Sequence, residues 1–298
     1  VQEADMMIAA RDKAGKTVAI GYQWSFDPAI LSLKRDIMAG RFGRPKRLTT
    51  LALWPRTTAY YARNDWAGKQ KTAGGAWVLD SPVNNAVAHY LHNMLFLLGE
   101  RLDRSAAPLR IQAELYRANP IENYDTAALR VEVEGGAEML FYASHAVRER
   151  IGPVLRAEFE RGIIHMDGLS DRLTAETTDG AQIDYGVPDN GVRAKLQAAL
   201  DAIAAGAPIP CGIEAARAHT VCVNGAQDCV DEIAWFDGSL TRQIDAPDGR
   251  LTFVAGLETA LQACAEAGRL PAEMGIAWAQ PGRMIDLRGY VSFPGRPA

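Results

Sequence analysis

Two histidines, His89 and His92, lie three residues apart in an apolar segment that ends at Gly99. Residues with this spacing share one face of a helix, and Asn85 falls on the same face one turn before His89. An imidazole with an ordinary pKa of about 6.5 can accept and return a proton near neutral pH. His89 is therefore the leading candidate for a general base, with Asn85 as a residue that could orient it. The alternative is the solvated face of an amphipathic helix, and spacing alone does not decide between the two.

Paired ligands at helical spacing raise the question of a metal site. His89 and His92 could share an ion, as could His219 and Cys222 on a later helix. Two ligands on one helix do not complete a site and the sequence implies no third, so we predict that no metal is bound. The four cysteines lack the close paired spacings that bind zinc, and we interpret them as small core residues in a reducing compartment.

Two further segments concentrate aromatic, basic and amide side chains. The first, residues 60–69, includes Trp66 and Lys69. Such groups stack on rings and bind phosphates or sugar hydroxyls, although a surface loop with a packed tryptophan explains them equally well. The second, residues 114–126, links two strands and is also explained by ordinary turn chemistry. His145, at the end of a strand, is a weaker candidate.

The elements that must position these residues begin with a helix over residues 1–14, followed by a short apolar strand at residues 17–20 of the kind buried in parallel sheets. Asp27 and Pro28 predict the start of a second helix that reaches Ala39. The histidines themselves are predicted to lie on one long helix over residues 82–98.

The middle of the chain has a different pattern, in which apolar residues alternate with polar ones such as Arg130 and Glu158. This alternation predicts strands with one solvated face, and Gly135-Gly136 predicts a hairpin turn between two of them. The predicted strands fall near residues 46–54, 109–115, 129–133 and 155–159, and helices follow at 190–205, 213–236 and 253–267. The fold class is therefore α/β plus α+β: a fragment of an α/β unit joined to a large, mostly antiparallel sheet backed by helices.

Composition excludes several classes of function. The chain has 298 residues, of which 48% are hydrophobic and 23% charged, so it is globular. Its net charge of −4 and its lack of a basic run argue against a nucleic-acid partner. No apolar run approaches the ~18 to 20 residues of a membrane span, so we expect a cytoplasmic protein that does not enter the membrane. The opening residues are already helical in pattern, and we expect the sequence to belong to a longer protein.

Several segments together resemble the Gfo/Idh/MocA family of NAD(P)-dependent oxidoreductases. They are residues 1–20, 21–28, 40–45 and the stretch from Gly74-Gly75 through His89 to Glu100. The resemblance implies a Rossmann domain followed by a sheet domain. Residues 1–25 would be the C-terminal remnant of the dinucleotide-binding Rossmann domain, and residues 26–298 an α+β substrate-binding and oligomerisation domain.

The resemblance also implies roles for particular residues. The family's glycine-rich loop and Glu-Lys-Pro motif are absent from these 298 residues and would lie upstream. Counting back from Gly99 places the family's catalytic histidine on His89 and its companion on Asn85. Counting from Gly74-Gly75 places the histidine on Asn84 instead, and we favour His89 because asparagine cannot act as a base. Residues implied to contact the cofactor, NAD or NADP, are Tyr22, Gln23, Trp24, Trp66 and Lys69.

The implied reaction is hydride transfer between the nicotinamide and a hydroxyl-bearing carbon of a sugar, cyclitol or related polyol. Tyr116, Arg117 and His145 are the candidates for substrate hydrogen bonds. A different class remains open: a non-catalytic or truncated homologue that acts as a ligand-binding or oligomerisation module. A homo-oligomer is expected in either case, because a broad sheet with one polar face commonly needs a cover.

Overall fold

The computed structural model describes residues 1–189 and 191–295. Within them a ten-stranded sheet forms the centre of the molecule, and a two-stranded hairpin lies beside it. In chain order the strands are β1 (Pro45–Leu53), β2 (Pro108–Arg117), β3 (Thr126–Val133), β4 (Glu138–Ser144), β5 (Ile151–Phe159), β6 (Gly162–Met166), β7 (Leu173–Thr177), β8 (Gln182–Gly186), β9 (Ala234–Trp235), β10 (Thr241–Ala246), β11 (Gly249–Val254) and β12 (Met284–Asp286).

The large sheet has the order β12-β2-β3-β4-β1-β5-β6-β7-β8, β9 also pairs with β2, and β10 and β11 form the hairpin. The pairs are antiparallel except β1 with β4 and β2 with β9, which are parallel. The predicted mostly antiparallel sheet is thus confirmed. The turn predicted at Gly135-Gly136 joins β3 to β4, and Gly135 has the positive φ of 81° that glycine adopts readily.

Helices surround the sheet. They are α1 (Gln2–Ala14), α2 (Pro28–Met38), α3 (Thr58–Ala62), α4 (Ala88–Leu97), α5 (Val192–Ala204), α6 (Ile213–Asp228) and α7 (Leu257–Ala267). One face of the sheet packs on α2, α4 and α6 in a core that includes Leu33, Leu95 and Cys222. The opposite face, over β1 to β4, packs on α7 and the hairpin through Leu261 and Val254.

The long helix predicted over residues 82–98 is wrong in its first half. Residues 82–87 form successive turns, because Asn84 and Ser81 bond to the backbone and leave the helix to begin at Ala88. The idea of a free polar face is also wrong, since eight of the ten residues of α4 are buried, His92 among them. After α4, a side chain at Gly99 would place its Cβ 2.0 Å from the Arg104 carbonyl oxygen, so the glycine permits a close crossing of the chain.

Other predicted boundaries also shift. Residues 17–20 form no strand, since Thr17 and Ala19 are exposed and Ile20 bonds by its N–H to the Cys211 carbonyl oxygen outside any sheet. The helix predicted over 213–236 ends at Asp228, and the chain then enters β9. The helix predicted from residue 253 begins at Leu257, because β11 occupies the preceding residues.

The four cysteines are buried free thiols, which confirms their interpretation as core residues. No helix in the described part of the chain has both the length and the apolar character needed to cross a membrane. The boundary between the two predicted domains, placed between residues 25 and 26, stays a prediction.

Candidate active site

Tyr22 is the centre of a cluster of rings formed by three elements. It precedes a short 3₁₀ turn at Gln23–Phe26, and its ring stacks on His92 of α4 with 3.9 Å between ring centroids. His89, one turn earlier on α4, meets the same ring edge-on at 5.4 Å. His219 of α6 contributes the third imidazole, with its Nδ1 2.9 Å from the Tyr22 hydroxyl. The structure thus brings together two of the residues named from the sequence, Tyr22 and His89.

The hydrogen bonds of His219 fix the direction of the Tyr22 hydroxyl. The Nε2 atom of His219 lies 3.0 Å from the Val83 carbonyl oxygen, which can only accept, so Nε2 carries the proton. Burial lowers the pKa of His219 to about 4, so the ring is neutral at pH 7 and its Nδ1 is an acceptor. The Tyr22 hydroxyl therefore donates a hydrogen bond to His219 Nδ1, and the lone pairs of its oxygen remain available to accept one from a ligand.

His89 combines partial burial with an unused nitrogen. Its Nδ1 atom is buried and has no hydrogen-bond partner in the structure. Desolvation, followed by the positive charge of Lys195, lowers the pKa of His89 below its ordinary value. The ring is therefore neutral near pH 7, the form in which an imidazole can accept a proton.

His92 differs from His89 because it is enclosed. Its Nε2 lies 2.9 Å from the Ser25 hydroxyl and 3.6 Å from the Cys211 thiol, and its side chain has almost no exposed surface. Burial, with the neighbouring His219 as the next cause, holds the pKa of His92 well below its ordinary value. The neutral ring of His92 therefore packs against one face of the Tyr22 ring.

Asn85 lies outside α4 and serves a different group of residues. Its Nδ2 donates to Asp80 Oδ1 at 2.7 Å, while Asp80 Oδ2 accepts the Gly68 N–H at 2.7 Å. The Asp80 N–H in turn donates to the carbonyl oxygen of Lys69. Asp80 thereby ties the turn that carries Asn85 to the loop that carries Trp66 and Lys69. Leu79, just before it, has a left-handed φ of 47°, a strained conformation for leucine.

The other residues proposed to face the cofactor lie on the 3₁₀ turn. Gln23 is half-buried there. Trp24 is buried, with its ring edge-on to Tyr90 at 5.1 Å, and Tyr90 in turn meets Trp54 at 5.7 Å. A row of aromatic rings therefore runs from the 3₁₀ turn to the end of β1.

The three residues proposed to bind substrate lie in separate surroundings. Tyr116 packs on the face of the sheet opposite α4, and its hydroxyl donates to Glu114 at 2.6 Å. Arg117 donates to the carbonyl oxygens of Ile121 and Glu122 and lies over the Trp235 ring. These hydrogen bonds occupy the Tyr116 hydroxyl and the Arg117 Nη1, whereas Arg117 Nε is buried without a partner. The role of both residues in substrate binding stays a prediction.

His145 follows β4 directly and keeps one nitrogen free. Its Nδ1 donates to the Trp54 carbonyl oxygen at 2.8 Å, which leaves Nε2 as a buried acceptor without a partner. Burial, reinforced by the positive charge of Arg56, lowers the pKa of His145 to about 3, so the ring is neutral.

The sequence did not identify His219 as a partner of Tyr22. A signal was present, since a histidine among the apolar residues of α6 must be buried and a buried polar group needs a partner. In residues 1–189 and 191–295 no three metal-binding side chains are grouped as an ion would require.

The middle of the chain matches a known domain. Residues 30–165, somewhat less than half of the chain, match the family profile described as GFO/IDH/MocA C-terminal domain. The resemblance noted in the sequence is thereby confirmed. Comparison with the curated proteins found no match.

Solved structures share the fold at low sequence identity. The UDP-N-acetylglucosamine 3-dehydrogenase GnnA from Acidithiobacillus ferrooxidans is 23% identical, with a TM-score of 0.59 over 77% of this chain and 66% of that one. The WlbA dehydrogenase from Bordetella pertussis, in complex with NADH and UDP-GlcNAcA, is 19% identical, with a TM-score of 0.58 over 76% and 66%. An inositol dehydrogenase homolog from Azotobacter vinelandii, complexed with NADH and myo-inositol, is 17% identical, with a TM-score of 0.54 over 76% and 66%. The chain therefore spans slightly less than two thirds of the length of these structures.

Proposed function

We propose that the chain is the substrate-binding part of an NAD(P)-dependent oxidoreductase that acts on a hydroxyl or carbonyl group of a sugar, cyclitol or related polyol. The observation that carries the proposal is the half-buried His89, with an unpartnered Nδ1 beside the ring of Tyr22. Support comes from the domain match and from structurally similar dehydrogenases that bind NADH together with a sugar nucleotide or myo-inositol.

The chemistry assigned to this chain is the movement of one proton. Neutral His89 removes the proton of the substrate hydroxyl during oxidation and returns it during reduction. Burial lowers the pKa of His89 below its ordinary value, which favours the neutral, accepting form at neutral pH. Tyr22, held by His219, offers its oxygen lone pairs as an acceptor beside the reacting group.

The residues fit one end of the proposed cofactor. Tyr22 is half-buried beside His89, and the half-buried Gln23 follows it in the chain, as the edge of a nicotinamide pocket would require. When bound, the nicotinamide supplies the carbon that exchanges hydride with the substrate. The phosphates of the cofactor would need a glycine-rich loop, and the 298-residue sequence contains no such motif. Trp66 and Lys69, on the loop tied down by Asp80, remain the proposed contacts to the rest of the cofactor.

Turnover by the native protein tests the proposal. Sugar nucleotides, myo-inositol and aldoses should be screened with NAD and NADP while the absorbance of the reduced nicotinamide is followed. His89→Gln should lower kcat by about 10² to 10⁴-fold, the usual contribution of a general base, with little change in the Kd for NADH.

The matched control is His165→Gln, because His165 lies on β6 away from the Tyr22 cluster and should leave turnover unchanged. Normal turnover by His89→Gln would remove His89 from this role. No NADH binding and no turnover with any substrate would instead favour the alternative, a non-catalytic ligand-binding or oligomerisation module.

A further inference from the structure

The indole of Trp54 is flanked by two arginines at the end of β1. The guanidinium carbon of Arg150 lies 4.2 Å from the ring centroid and that of Arg56 lies 5.7 Å from it. The ring itself is fixed, because Trp54 Nε1 donates to the Gly152 carbonyl oxygen at 3.0 Å. We refer to Trp54, Arg56 and Arg150 as the arginine–tryptophan cluster.

Neither arginine of this cluster forms a close ion pair within the described residues. Across residues 1–189 and 191–295, the ion pairs closer than 4.0 Å include neither Arg56 nor Arg150, whereas the neighbouring Arg63 lies 3.6 Å from Asp80. The Nε of Arg56 is buried without a partner, its Nη1 donates to the Pro55 carbonyl oxygen, and its guanidinium lies over the Tyr60 ring and within hydrogen-bond reach of that side chain. A guanidinium has five N–H donors, so several of them remain unused here.

Neighbouring polar atoms are also unsatisfied. The Nε2 of His145 and the Oγ1 of Thr57 are buried and have no partner. An open cavity of about 550 Å³ adjoins them and is lined by Arg56, Thr57, Tyr60, Asp248 and Leu251. Asp248 contributes a carboxylate to the same lining. The cavity therefore offers room, unused donors and an acceptor beside the guanidinium group of Arg56.

The cluster lies next to the residue proposed as the base. The Trp54 ring contacts Tyr90 at 5.7 Å, and Tyr90 directly follows His89 on α4. The hydroxyl of Tyr90 is close enough to Arg150 and Asp171 for both charges to act on its pKa, which burial raises to about 12. Tyr90 therefore connects the cluster to the helix that carries His89.

We infer that the arginine–tryptophan cluster binds an oxyanion, a carboxylate or a phosphate, carried by the substrate whose hydroxyl is presented to His89. The inference rests on the proposed function for the part that concerns His89. Planar guanidinium groups match the geometry of both oxyanions, and a stacked arginine is already oriented and loses little freedom on binding. The substrate class is thus narrowed from polyols in general to acidic sugars and sugar phosphates.

Paired ligands that differ only in the charged group test the inference without any turnover. Binding of glucose, glucuronate and glucose 6-phosphate to the 298-residue chain should be measured by calorimetry and by tryptophan fluorescence. We expect at least one charged ligand to bind about tenfold tighter than glucose, equivalent to about 1.4 kcal/mol. The glucuronate and glucose 6-phosphate arms separate a carboxylate from a phosphate.

Variants assign the preference to the cluster. The double variant Arg56→Gln/Arg150→Gln should bind charged and neutral ligands alike, whereas Arg56→Lys/Arg150→Lys should keep part of the preference because it keeps the charge. Arg156→Gln, an exposed arginine of β5 paired with Glu158, is the matched control and should bind like the unaltered chain. Thermal unfolding of each variant confirms that it folds.

Three outcomes would overturn the inference. Equal binding of glucose and both charged ligands by the unaltered chain is the first, and a preference that survives in the double glutamine variant is the second. Binding of ADP-ribose alone, weakened in the double variant, is the third, because it would assign the cluster to a cofactor phosphate. Loss of the proposed dehydrogenase activity would be seen separately, since the binding preference needs no catalysis.

Discussion

At the scale of single residues, the site depends on hydrogen bonds that hold rings in one orientation. His219 uses both nitrogens, one toward the Val83 carbonyl oxygen and one toward the Tyr22 hydroxyl. Neither contact is to His89 itself. His219 is therefore a positioning residue, and we expect it to affect the proposed reaction through the orientation of Tyr22.

Two substitutions at His219 separate its two hydrogen bonds. His219→Gln keeps a donor near the Nε2 position but removes the acceptor for Tyr22, whereas His219→Asn keeps an acceptor near the Nδ1 position. We expect kcat/KM to fall about fivefold in the glutamine variant, as the loss of one neutral hydrogen bond of about 1 kcal/mol implies, and to fall less in the asparagine variant. Steady-state kinetics across the pH range provide the measurement. Equal losses in both variants would mean that the Tyr22 hydrogen bond has no role.

Several residue-scale features could be anticipated from the sequence. His89 was identified because an imidazole is suited to proton transfer and because the family resemblance points to it, whereas Tyr22 was identified from the resemblance alone. Asn85 was placed on the wrong element, since its amide bonds to Asp80, a long-range contact that helical spacing does not reveal. Tyr116 was chosen for its polar group, but the sequence does not show that Glu114 on the same strand already occupies it.

At the scale of elements, α2 illustrates a boundary that local chemistry determines. Asp27 Oδ1 accepts the N–H groups of Ala29 and Ile30, and Pro28 takes the first helical position. The helix predicted from this pair is confirmed at its start and ends at Met38, one residue earlier than expected. The same carboxylate accepts the Asp189 N–H at 2.8 Å, so the cap also anchors the chain before α5.

Substitution of this cap should destabilise the fold measurably. Asp27→Ala should lower the free energy of unfolding by about 1 to 2 kcal/mol, because two helical N–H groups lose their acceptor. Asp27→Asn retains a side-chain oxygen and should lose less. Urea unfolding of the two variants supplies the comparison. If the cap does not contribute to stability, both variants will unfold at the same urea concentration as the unaltered chain.

Elements fixed by distant contacts were harder to predict. The strand expected at residues 17–20 has the right residue types, but a strand needs a neighbour, and Ile20 instead bonds to Cys211. The helix expected from residue 82 fails where Asn84 donates to the carbonyl oxygens of Val78 and Leu79. The alternating strands were predicted well, because their period depends on the face that each residue occupies.

At the scale of the whole molecule, burial of histidines links folding to pH. His92, His145 and His219 are buried and neutral, and burial lowers the pKa of each, to about 3 for His145 and about 4 for His219. In the unfolded chain the same groups have a pKa of about 6.5. Between these values the unfolded state binds more protons, so stability rises with pH and is lost as pH falls.

We therefore expect the free energy of unfolding to decrease from pH 7 to pH 5, by up to about 1.4 kcal/mol per pH unit for each of these histidines. Glu114 and Asp125 oppose this slope, because burial raises the pKa of both carboxyls. Urea unfolding at several pH values gives the slope. His145→Gln and His219→Gln should each reduce it by about one proton, and an unchanged slope in both would contradict the assignment.

The two faces of the large sheet are covered to different extents. One face is covered along its length by helices, while the second is covered over β1 to β4 and leaves residues of β5 and β7 such as Arg156 and Glu176 exposed. A homo-oligomer, expected from the sequence, stays a prediction. The fold class was accessible from the pattern of elements, whereas β10, with four of its six residues exposed, had no apolar alternation to reveal it.

The enclosure of α4 limits how the proposed catalyst can work. Leu91, Met94 and Leu95 are fully covered, so the helix cannot tilt or slide without opening the hydrophobic interior around it. His89 lies in the first turn of this helix, so its backbone position is fixed by the packing of the helix. Any adjustment that brings reactants into register must come from the surrounding walls, the segment at Tyr22 and the loop after β1, while the imidazole keeps its place.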